Sequence, residues 1–366
     1  MTTARPTASY AELGVAYGEQ LAAQGIAPSM LTHKWQAGDL IAPHSDIDVR
    51  VVLGQAPDSW WEWNERLASA HHQAVLLDPT HSRLLEHPPG FAFTISEVDR
   101  NRVSPAEIST WTLITGNPTA LQRWKSRAQM VPWSRADERF YRGILDARTG
   151  GRYQLEKDST DNVHHDLDGY RRHCVAWHYV APCWFASAAL ATRTRCPGKT
   201  AALTQWHPGE LESRAEDLLR LASTVSGPGP TPARLLRTAH ITVDGVLRHT
   251  PPPRPLPEAP KTDAAAWTMT AGMLRVRVAR WIYYLNPPPG TATGYLIARE
   301  EKELRSARNT LNRLADRATG DEALLVKAMT ALLPPAPTTA NTLRDLLALW
   351  GRHRSVVEDF LSARST

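Results

Sequence analysis

The chain has 366 residues, of which 42% are hydrophobic and 22% charged, and its formal net charge is +5. This composition is typical of a globular protein and excludes an intrinsically disordered chain. At this length we expect two or three packed units instead of one core. The three cysteines are an odd number, which argues against a disulfide framework and for a reducing compartment.

The N-terminal sequence MTTARPTASYAELG has no apolar segment of the kind found in a secretory leader. The longest uncharged run, residues 175–191, is shorter than the ~20 residues that a membrane span needs, and it contains Pro182. We therefore expect a cytoplasmic protein with no membrane partner. The mild basic excess is compatible with nucleotide or nucleic acid as a partner but requires neither.

The N-terminal part of the chain predicts a small mixed α/β unit. Helical spacing predicts a helix over residues 9–24, and alternation predicts strands at MLTHKW, DIDVRVVLG and FAFTISEVD. The first two strands are joined by QAGDLIAPH, which is marked by glycine and proline. A helix over residues 58–77, capped by Asp58, separates the second strand from the third. We expect the third strand to cover residues 91–99.

Beyond about residue 105 the pattern becomes helical. Helices are predicted over residues 106–128, 136–148, 161–194, 209–224, 264–285, 292–318 and 341–363. The stretch HITVDGVL is compatible with a hairpin or with a helix end, and TPPPRPLPEAP predicts an extended linker. The predicted fold class is α+β. A small mixed-sheet domain covers residues 1–128 and a helical region 129–249, followed by the linker at 250–260 and a second helical region over 261–366.

The stretch GDLIAPHSDIDVRVVL, residues 38–53, carries the strongest functional signal. Asp46 and Asp48 stand two positions apart at the head of an apolar strand, so we expect both side chains on one face. Paired carboxylates repel each other unless a cation lies between them, and Mg²⁺ prefers oxygen ligands. A third carboxylate from the next strand, Glu97 or Asp99, would complete a site for two ions that supports phosphoryl transfer. The competing interpretation is a solvated strand end.

A glycine-marked turn followed by Asp-x-Asp on a strand resembles the signature of the DNA polymerase β-like nucleotidyltransferase superfamily. Ala37-Gly38 stands at the start of the pattern, and Asp46-Ile47-Asp48 supplies the paired acids. The resemblance implies transfer of a nucleoside monophosphate from an NTP with release of pyrophosphate. It also implies that Asp46, Asp48 and Glu97 hold metal, with Asp99 as the other candidate for the third acid. The glycine turn would approach the triphosphate, which a residue without Cβ permits.

The chain departs from this pattern at Asp39, where the family has Ser or Gly. An acid beside a triphosphate is repelled unless it turns away from the phosphates or binds metal. The resemblance assigns Gly38, Asp39 and Ser45 to the nucleotide-binding turn. In RCPGKTAAL, Lys199 is placed to meet a phosphate at the start of a helix. Antibiotic-modifying members of the family follow the catalytic unit with a helical region, which here would hold a small acceptor.

Two further groups are weaker candidates for chemistry. One group has the spacing of half a zinc site, and the other is a polar cluster that would supply a general base. The members are Cys174 and His178 with His173 and Cys183 in the first group, and His164, His165, Asp166 and Asp168 in the second. A buried aromatic core and a solvated helix start are the competing interpretations.

The favoured prediction is a transferase that moves an NMP group to the hydroxyl of a small molecule. Its cofactors would be Mg²⁺, as two ions, with an NTP as co-substrate. One rival is an enzyme that adds nucleotides to an RNA end, which the basic charge permits. The other rival is a non-catalytic NTP-binding or regulatory protein on a degenerate scaffold, which the departure at Asp39 keeps open.

Overall fold

The fold was examined in a computed structural model. It describes residues 8–41, 45–78, 84–149, 174–223, 232–256, 262–289, 291, 293–334 and 339–365. These residues form a mixed sheet in the N-terminal part of the chain, followed by a mostly helical region. The predicted α+β fold class is confirmed.

A four-stranded sheet has the order β3-β2-β1-β4. Its strands are β1 (Met30–Lys34), β2 (Val49–Leu53), β3 (Phe91–Thr94) and β4 (Trp111–Gly116). Strand β1 pairs antiparallel with both β2 and β4, whereas β2 pairs parallel with β3. The carboxyl end of β1 therefore lies beside the amino ends of the other three strands.

The structure corrects the third predicted strand, because β3 ends at Thr94 and a helix follows at once. Thr94 caps that helix: its hydroxyl accepts a hydrogen bond from the Glu97 backbone, and the Glu97 carboxylate accepts one from the Thr94 backbone. This reciprocal pair is a capping box, and its Thr-x-x-Glu spacing is present in FAFTISEVD. Glu97 and Asp99 consequently lie on a helix and not on one face of a strand.

The predicted helix over residues 106–128 is also wrong in part, because β4 lies inside it. The run Trp111–Gly116 is rich in β-branched and aromatic residues, which favour a strand. Gly116 has a φ of 120°, a conformation that suits glycine, and Asn117 then caps the next helix with hydrogen bonds to two backbone amides. A short helix therefore precedes the strand and a longer one follows it.

The described part of the chain contains sixteen α-helices. They are α1 (Ala8–Ala23), α2 (Trp60–Leu76), α3 (Ile95–Asp99), α4 (Pro105–Ser109), α5 (Pro118–Met130), α6 (Arg135–Thr149), α7 (Ala181–Thr192), α8 (Lys199–Gln205), α9 (Glu212–Ser223), α10 (Pro232–Arg248), α11 (Thr262–Leu274), α12 (Arg277–Leu285), α13 (Gly294–Ala315), α14 (Gly320–Ala331), α15 (Ala340–Arg352) and α16 (Arg354–Ser362). Short 3-10 turns cover Ala37–Asp39 and Gly209–Leu211, and a π-helix covers Cys174–Val180. Among the described helices, none is both long enough and apolar enough to cross a bilayer.

Several helical predictions are settled by these bounds. The undecided stretch HITVDGVL is part of α10, a helix without a hairpin. Ser59, and not Asp58, caps α2, because its hydroxyl accepts a hydrogen bond from the Glu62 backbone. Residues 251–256 of the predicted linker have no regular secondary structure, whereas residues 257–260 lie outside the described part.

The C-terminal helices share a hydrophobic core with the N-terminal unit. One cluster of buried side chains includes Tyr10 and Leu67 from the N-terminal part, and Trp281 and Phe360 from the C-terminal part. The helices between them in the chain have a separate cluster that includes Trp184. The chain therefore returns to the sheet-bearing unit after the proline-rich segment, and residues of both units pack against each other.

Candidate functional site

The end of β1 and the starts of β2, β3 and β4 lie together at one end of the sheet. This follows because β1 runs antiparallel to β2 and β4, whereas β2 and β3 are parallel. The Lys34 backbone amide donates a hydrogen bond to the Asp48 carbonyl at 3.0 Å, which joins the end of β1 to the start of β2. The Gly90 amide donates to the Val49 carbonyl at 2.8 Å, and the Ile47 amide to a carbonyl of the segment before β3. Residues that are far apart in sequence are brought together here.

An acidic cluster lies at this end of the sheet and consists of Asp46, Glu86 and His87. One ligand atom from each residue lies within 4.8 Å of the others. Glu86 and His87 are buried and Asp46 is half-buried. Atoms bound to one metal ion at about 2.0–2.2 Å lie within about 4.4 Å of each other, so a small movement of the side chains would complete a site.

His87 supplies a neutral imidazole to the acidic cluster. Burial and the nearby Arg280 guanidinium lower the pKa of His87 to about 4, against the opposing effect of Asp48 and Asp46. The ring Nδ1 lies 2.8 Å from the Pro88 carbonyl oxygen, and Nε2 lies 3.7 Å from Asp48 Oδ1. An uncharged ring is the form of histidine that binds metal.

Asp48, the second acid of the predicted pair, contacts arginine. Arg50 Nη1 lies 3.3 Å from Asp48 Oδ1, and Arg50 Nε donates to Glu107 Oε1 at 2.7 Å. Burial by itself would raise the pKa of Asp48, but Arg50, His87 and Lys34 lower that pKa well below its usual range. Asp48 is therefore ionised and held at the edge of the acidic cluster.

The two candidates for the third carboxylate lie at the other end of β3. Glu97 is buried and accepts hydrogen bonds from both terminal nitrogens of Arg275, at 2.7 and 2.8 Å. Asp99 Oδ1 accepts from Trp124 Nε1 at 2.8 Å and from Arg127 Nη2 at 3.2 Å. Because β2 and β3 are parallel, residues after β3 lie beside the end of β2, whereas Asp46 precedes its start. The structure does not bring Glu97 or Asp99 into the acidic cluster.

The structure shows what Asp39 does in place of the family's Ser or Gly. Asp39 is fully buried, and its carboxylate accepts hydrogen bonds from the Gln36 amide at 3.1 Å and the Thr200 amide at 2.7 Å. The Thr200 hydroxyl donates to the carbonyl of the exposed Gly38 at 3.1 Å. A Cβ on Gly198 would lie 2.1 Å from Asp39 Oδ2, so glycine permits the close approach. Asp39 therefore binds the start of α8 instead of facing the strand edge.

Ser45 is likewise engaged with backbone groups. Its hydroxyl accepts a hydrogen bond from the Ile41 amide at 2.9 Å, and its carbonyl accepts one from the Tyr10 hydroxyl at 2.8 Å. Its side chain is buried. Ser45 thus holds the loop before Asp46 against α1.

A basic cluster consists of Lys34, Lys199 and Arg148. The ammonium groups of Lys34 and Lys199 lie 4.6 and 5.0 Å from the centroid of the Trp35 ring, and no hydrogen bond or ion pair joins either one to a described residue. Burial lowers the pKa of Lys199 to about 8, while Asp39 and Asp46 partly oppose the shift and Arg148 and Lys34 add to it. Burial also lowers the pKa of Lys34. The acidic and basic clusters are close enough to interact electrostatically.

Sequence reasoning missed Glu86, His87, Lys34 and Arg148. Glu86 and His87 stand just before PPG and the third strand, so two metal-binding residue types at the start of a strand were a usable signal. Their approach to Asp46 depends on pairing between segments distant in the chain. Lys34 is the last residue of β1 and lies inside the predicted strand MLTHKW, and Arg148 ends a predicted helix; neither position carries a motif.

The two weaker groups of candidate residues, the half zinc site and the polar cluster, form no site among the described residues. Cys183 is a free, buried thiol whose pKa burial raises to about 12. His173 and the residues of the cluster at 164–168 lie outside the described part of the chain. Within that part, the acidic cluster is the only group of three such residues with metal-binding proximity.

The chain was compared with known proteins at three levels. No family model matches it, no curated protein matches it, and no solved structure matches it. The assignment of a function therefore depends on the residues of the two clusters and on their chemistry.

Proposed function

We propose that this protein is a metal-dependent nucleotidyltransferase that moves an NMP group from an NTP to a hydroxyl of a small acceptor. The observation that carries the proposal is that the acidic cluster lies at the start of β2, beside the end of β1 that carries Lys34. The ammonium groups of Lys34 and Lys199 both lie within 5.0 Å of the Trp35 ring centroid. Transfer at phosphorus needs little covalent help from a protein. It needs positioning of the reactants and neutralisation of charge, which these two clusters are suited to supply.

The acidic cluster fits a divalent cation by the chemistry of its donor atoms. Asp46 and Glu86 offer carboxylate oxygens, and His87 offers an uncharged ring nitrogen. Mg²⁺ prefers oxygen ligands, whereas Mn²⁺ and Zn²⁺ also take imidazole. When bound, such an ion neutralises charge on the phosphate oxygens and favours departure of pyrophosphate. The imidazole in the set leads us to propose Mn²⁺ as a better cofactor than Mg²⁺.

The basic cluster is suited to hold the phosphates of the NTP. Lys34 and Lys199 carry ammonium groups that have no hydrogen bond or ion pair with a described residue, and both lie close to the Trp35 ring. The carboxylate of Asp39 accepts hydrogen bonds from the Gln36 and Thr200 amides, which offset part of its repulsion of a phosphate near the Gly38 turn. The acceptor oxygen would form its bond to the α-phosphorus as the bond to the leaving pyrophosphate breaks, and the proton of the acceptor hydroxyl would pass to solvent.

The test is release of pyrophosphate by the purified chain from each of the four NTPs, with Mn²⁺ or Mg²⁺ and a pooled metabolite extract. Asp46→Asn removes one ligand of the acidic cluster. Asp263→Asn is the matched control, because Asp263 is half-exposed and pairs only with Arg317 at 3.0 Å among the described residues. We expect the release of pyrophosphate to require the extract, a metal ion and Asp46. The Asp263→Asn variant should release pyrophosphate as the wild type does. Equal release by the two variants would overturn the proposal.

A non-catalytic NTP-binding protein is the second candidate, and the ion pair between Asp48 and Arg50 favours it. An acid already paired at 3.3 Å is less available to a second metal ion. This candidate predicts metal-dependent NTP binding, lost in Asp46→Asn, without release of pyrophosphate under any condition. Binding measured alongside release separates the two candidates.

A further inference from the structure

A cavity of about 360 Å³ lies between the sheet-bearing unit and the helices around it. Its walls come from the start of β3, from the loop before α4, and from helices α6, α11 and α13. Small-molecule sites in proteins are mostly clefts of roughly 300–1,000 Å³. The cavity is therefore large enough for a small organic molecule.

The walls of the cavity are mostly apolar. Phe91 and Phe140 contribute aromatic rings, and Met269 and Met273 contribute flexible thioether chains. Methionine side chains adapt their shape to irregular ligands. A ligand that fits these walls has an apolar body, which excludes the sugar-like polyols and polyamines.

One polar group in the wall has no partner among the described residues. Ser104 is 6% exposed, lines the cavity, and its hydroxyl makes no hydrogen bond. Burying a hydroxyl without a hydrogen bond costs about 1–3 kcal/mol, so such groups are rare in native proteins. A ligand in the cavity would supply the missing partner.

The charged residues of the cavity give it a positive balance. Arg313 lines it at an exposed position of α13, and Arg313 Nη2 donates to the uncharged Thr310 hydroxyl at 3.1 Å. Its acid, Glu303, forms an ion pair with Arg277 and lies 3.9 Å from Arg280. The negative charge of Glu303 is thus compensated inside the protein, and the Arg313 guanidinium favours an anionic ligand.

Three wall residues also contact groups of the candidate site. Phe140 lies 5.4 Å from the Lys34 ammonium, measured to the ring centroid, and Phe91 lies 5.0 Å from Arg50. Glu303 approaches Arg280, whose Nη2 lies 2.9 Å from His87 Nδ1. The cavity therefore borders both clusters.

We propose that this cavity binds a small molecule with an aromatic or other apolar body and one anionic group. The anionic group would face Arg313, and a polar atom of the body would bond to the Ser104 hydroxyl. The identification of this molecule as the acceptor of the transfer rests on the function proposed above. Its binding in the cavity does not depend on that function.

The probes are a matched fluorescent pair, 1-anilinonaphthalene-8-sulfonate and N-phenyl-1-naphthylamine, which share an aromatic body and differ in the sulfonate. Ala265→Phe places a ring at the cavity wall and should weaken both probes by about tenfold or more. Arg313→Gln should weaken the sulfonate about threefold to tenfold and leave the neutral probe unchanged. Ser104→Ala serves as a variant that leaves the packing intact, and it should unfold at the same temperature as the wild type or higher.

Two results would overturn the proposal. If Ala265→Phe unfolds normally and still binds both probes as the wild type does, the probes bind elsewhere. If Arg313→Gln binds the sulfonate unchanged, the cavity has no preference for anions.

The titrations are made without NTP or metal and repeated with Asp46→Asn. Failure of the ligand site can then be distinguished from failure of the transferase proposal. Probe binding retained in Asp46→Asn, together with no release of pyrophosphate by the wild type, would reject the transferase and keep the ligand site. Release of pyrophosphate without specific probe binding would reject the ligand site alone.

Discussion

The two ends of strand β3 both carry acids, but these acids are compensated in different ways. At the carboxyl end, both oxygens of Glu97 meet the Arg275 fork at 2.7 and 2.8 Å. At the amino end, no ion pair joins Asp46 to a described basic residue. A carboxylate whose two oxygens are both paired with a guanidinium has no oxygen left for a cation, whereas a carboxylate without an ion pair has.

The contacts of Arg275 explain why the carboxyl end is structural. Its Nε donates to the Leu361 carbonyl at 2.9 Å, and Nη2 donates to the Ser365 hydroxyl at 2.8 Å. Its guanidinium also lies 4.8 Å from the Trp60 ring. Arg275 and Glu97 together join the end of the chain to the sheet.

The largest effect on stability is expected for Glu97→Gln. Removing one partner of a buried ion pair leaves the other charge uncompensated, which costs about 3–5 kcal/mol. Denaturant unfolding would measure the loss. Glu210→Gln is the control, since its pair with Arg248 is exposed and should contribute less than about 1 kcal/mol. Equal losses in the two variants would mean that Glu97 has no special structural role.

Lys199→Met is expected to stabilise the protein while it weakens NTP binding. The pKa of Lys199 falls from its usual value to about 8 in the folded protein, so the buried ammonium opposes folding near neutral pH. Replacing it with an uncharged chain should raise the free energy of unfolding by roughly 1–3 kcal/mol. A variant with unchanged or lower stability would contradict a buried charge at this position.

The same lysine predicts the pH dependence of NTP binding and of stability. Lys199 is protonated below its pKa of about 8, so NTP affinity should fall as the pH rises through that value. The folded state binds fewer protons than the unfolded state between pH 8 and the usual lysine pKa, so the wild type gains stability with rising pH in that window. Titrations of NTP binding and unfolding against pH should lose both trends in Lys199→Met.

A smaller effect is expected for the choice of metal in His87→Gln. The imidazole favours Mn²⁺ over Mg²⁺, and an amide oxygen in its place should reduce that preference by several-fold, on the order of 1 kcal/mol. Competition between the two ions for the protein would measure the ratio. His207→Gln is the control, because His207 is exposed on a loop beyond α8. If the ratio stays the same in both variants, the ring is not a ligand.

Periodicity predicted the elements whose apolar residues all face one core. Tyr10, Leu13, Tyr17 and Leu21 were expected on one face of the first helix, and all four are buried in α1. Strands β1 and β2 were expected for the same reason. Lys34 ends β1 and Asp46 stands just before β2, so the location of the site was accessible from the sequence.

The partners of Asp46 were harder to predict, because they depend on where β3 ends and on hydrogen bonds between segments that are distant in the chain. Thr94 and Glu97 form a capping box, which ends β3 early and removes Glu97 from the edge that the acids share. Glu86 and His87 reach Asp46 through the hydrogen bond from Ile47 to Leu84, a contact between distant segments. Asp39 finds its partner, the Thr200 amide, across an even longer separation in the chain.

The most direct test of the central claim is a titration of the chain with Mn²⁺, followed by the electron paramagnetic resonance signal of the free ion. The wild type is compared with Asp46→Asn and with Asp99→Asn, a matched change at the other end of β3. We predict that the wild type and Asp99→Asn bind Mn²⁺ alike and that Asp46→Asn binds at least tenfold more weakly, a difference of about 1.4 kcal/mol or more. Equal binding by all three proteins would contradict a metal site at the amino end of β3.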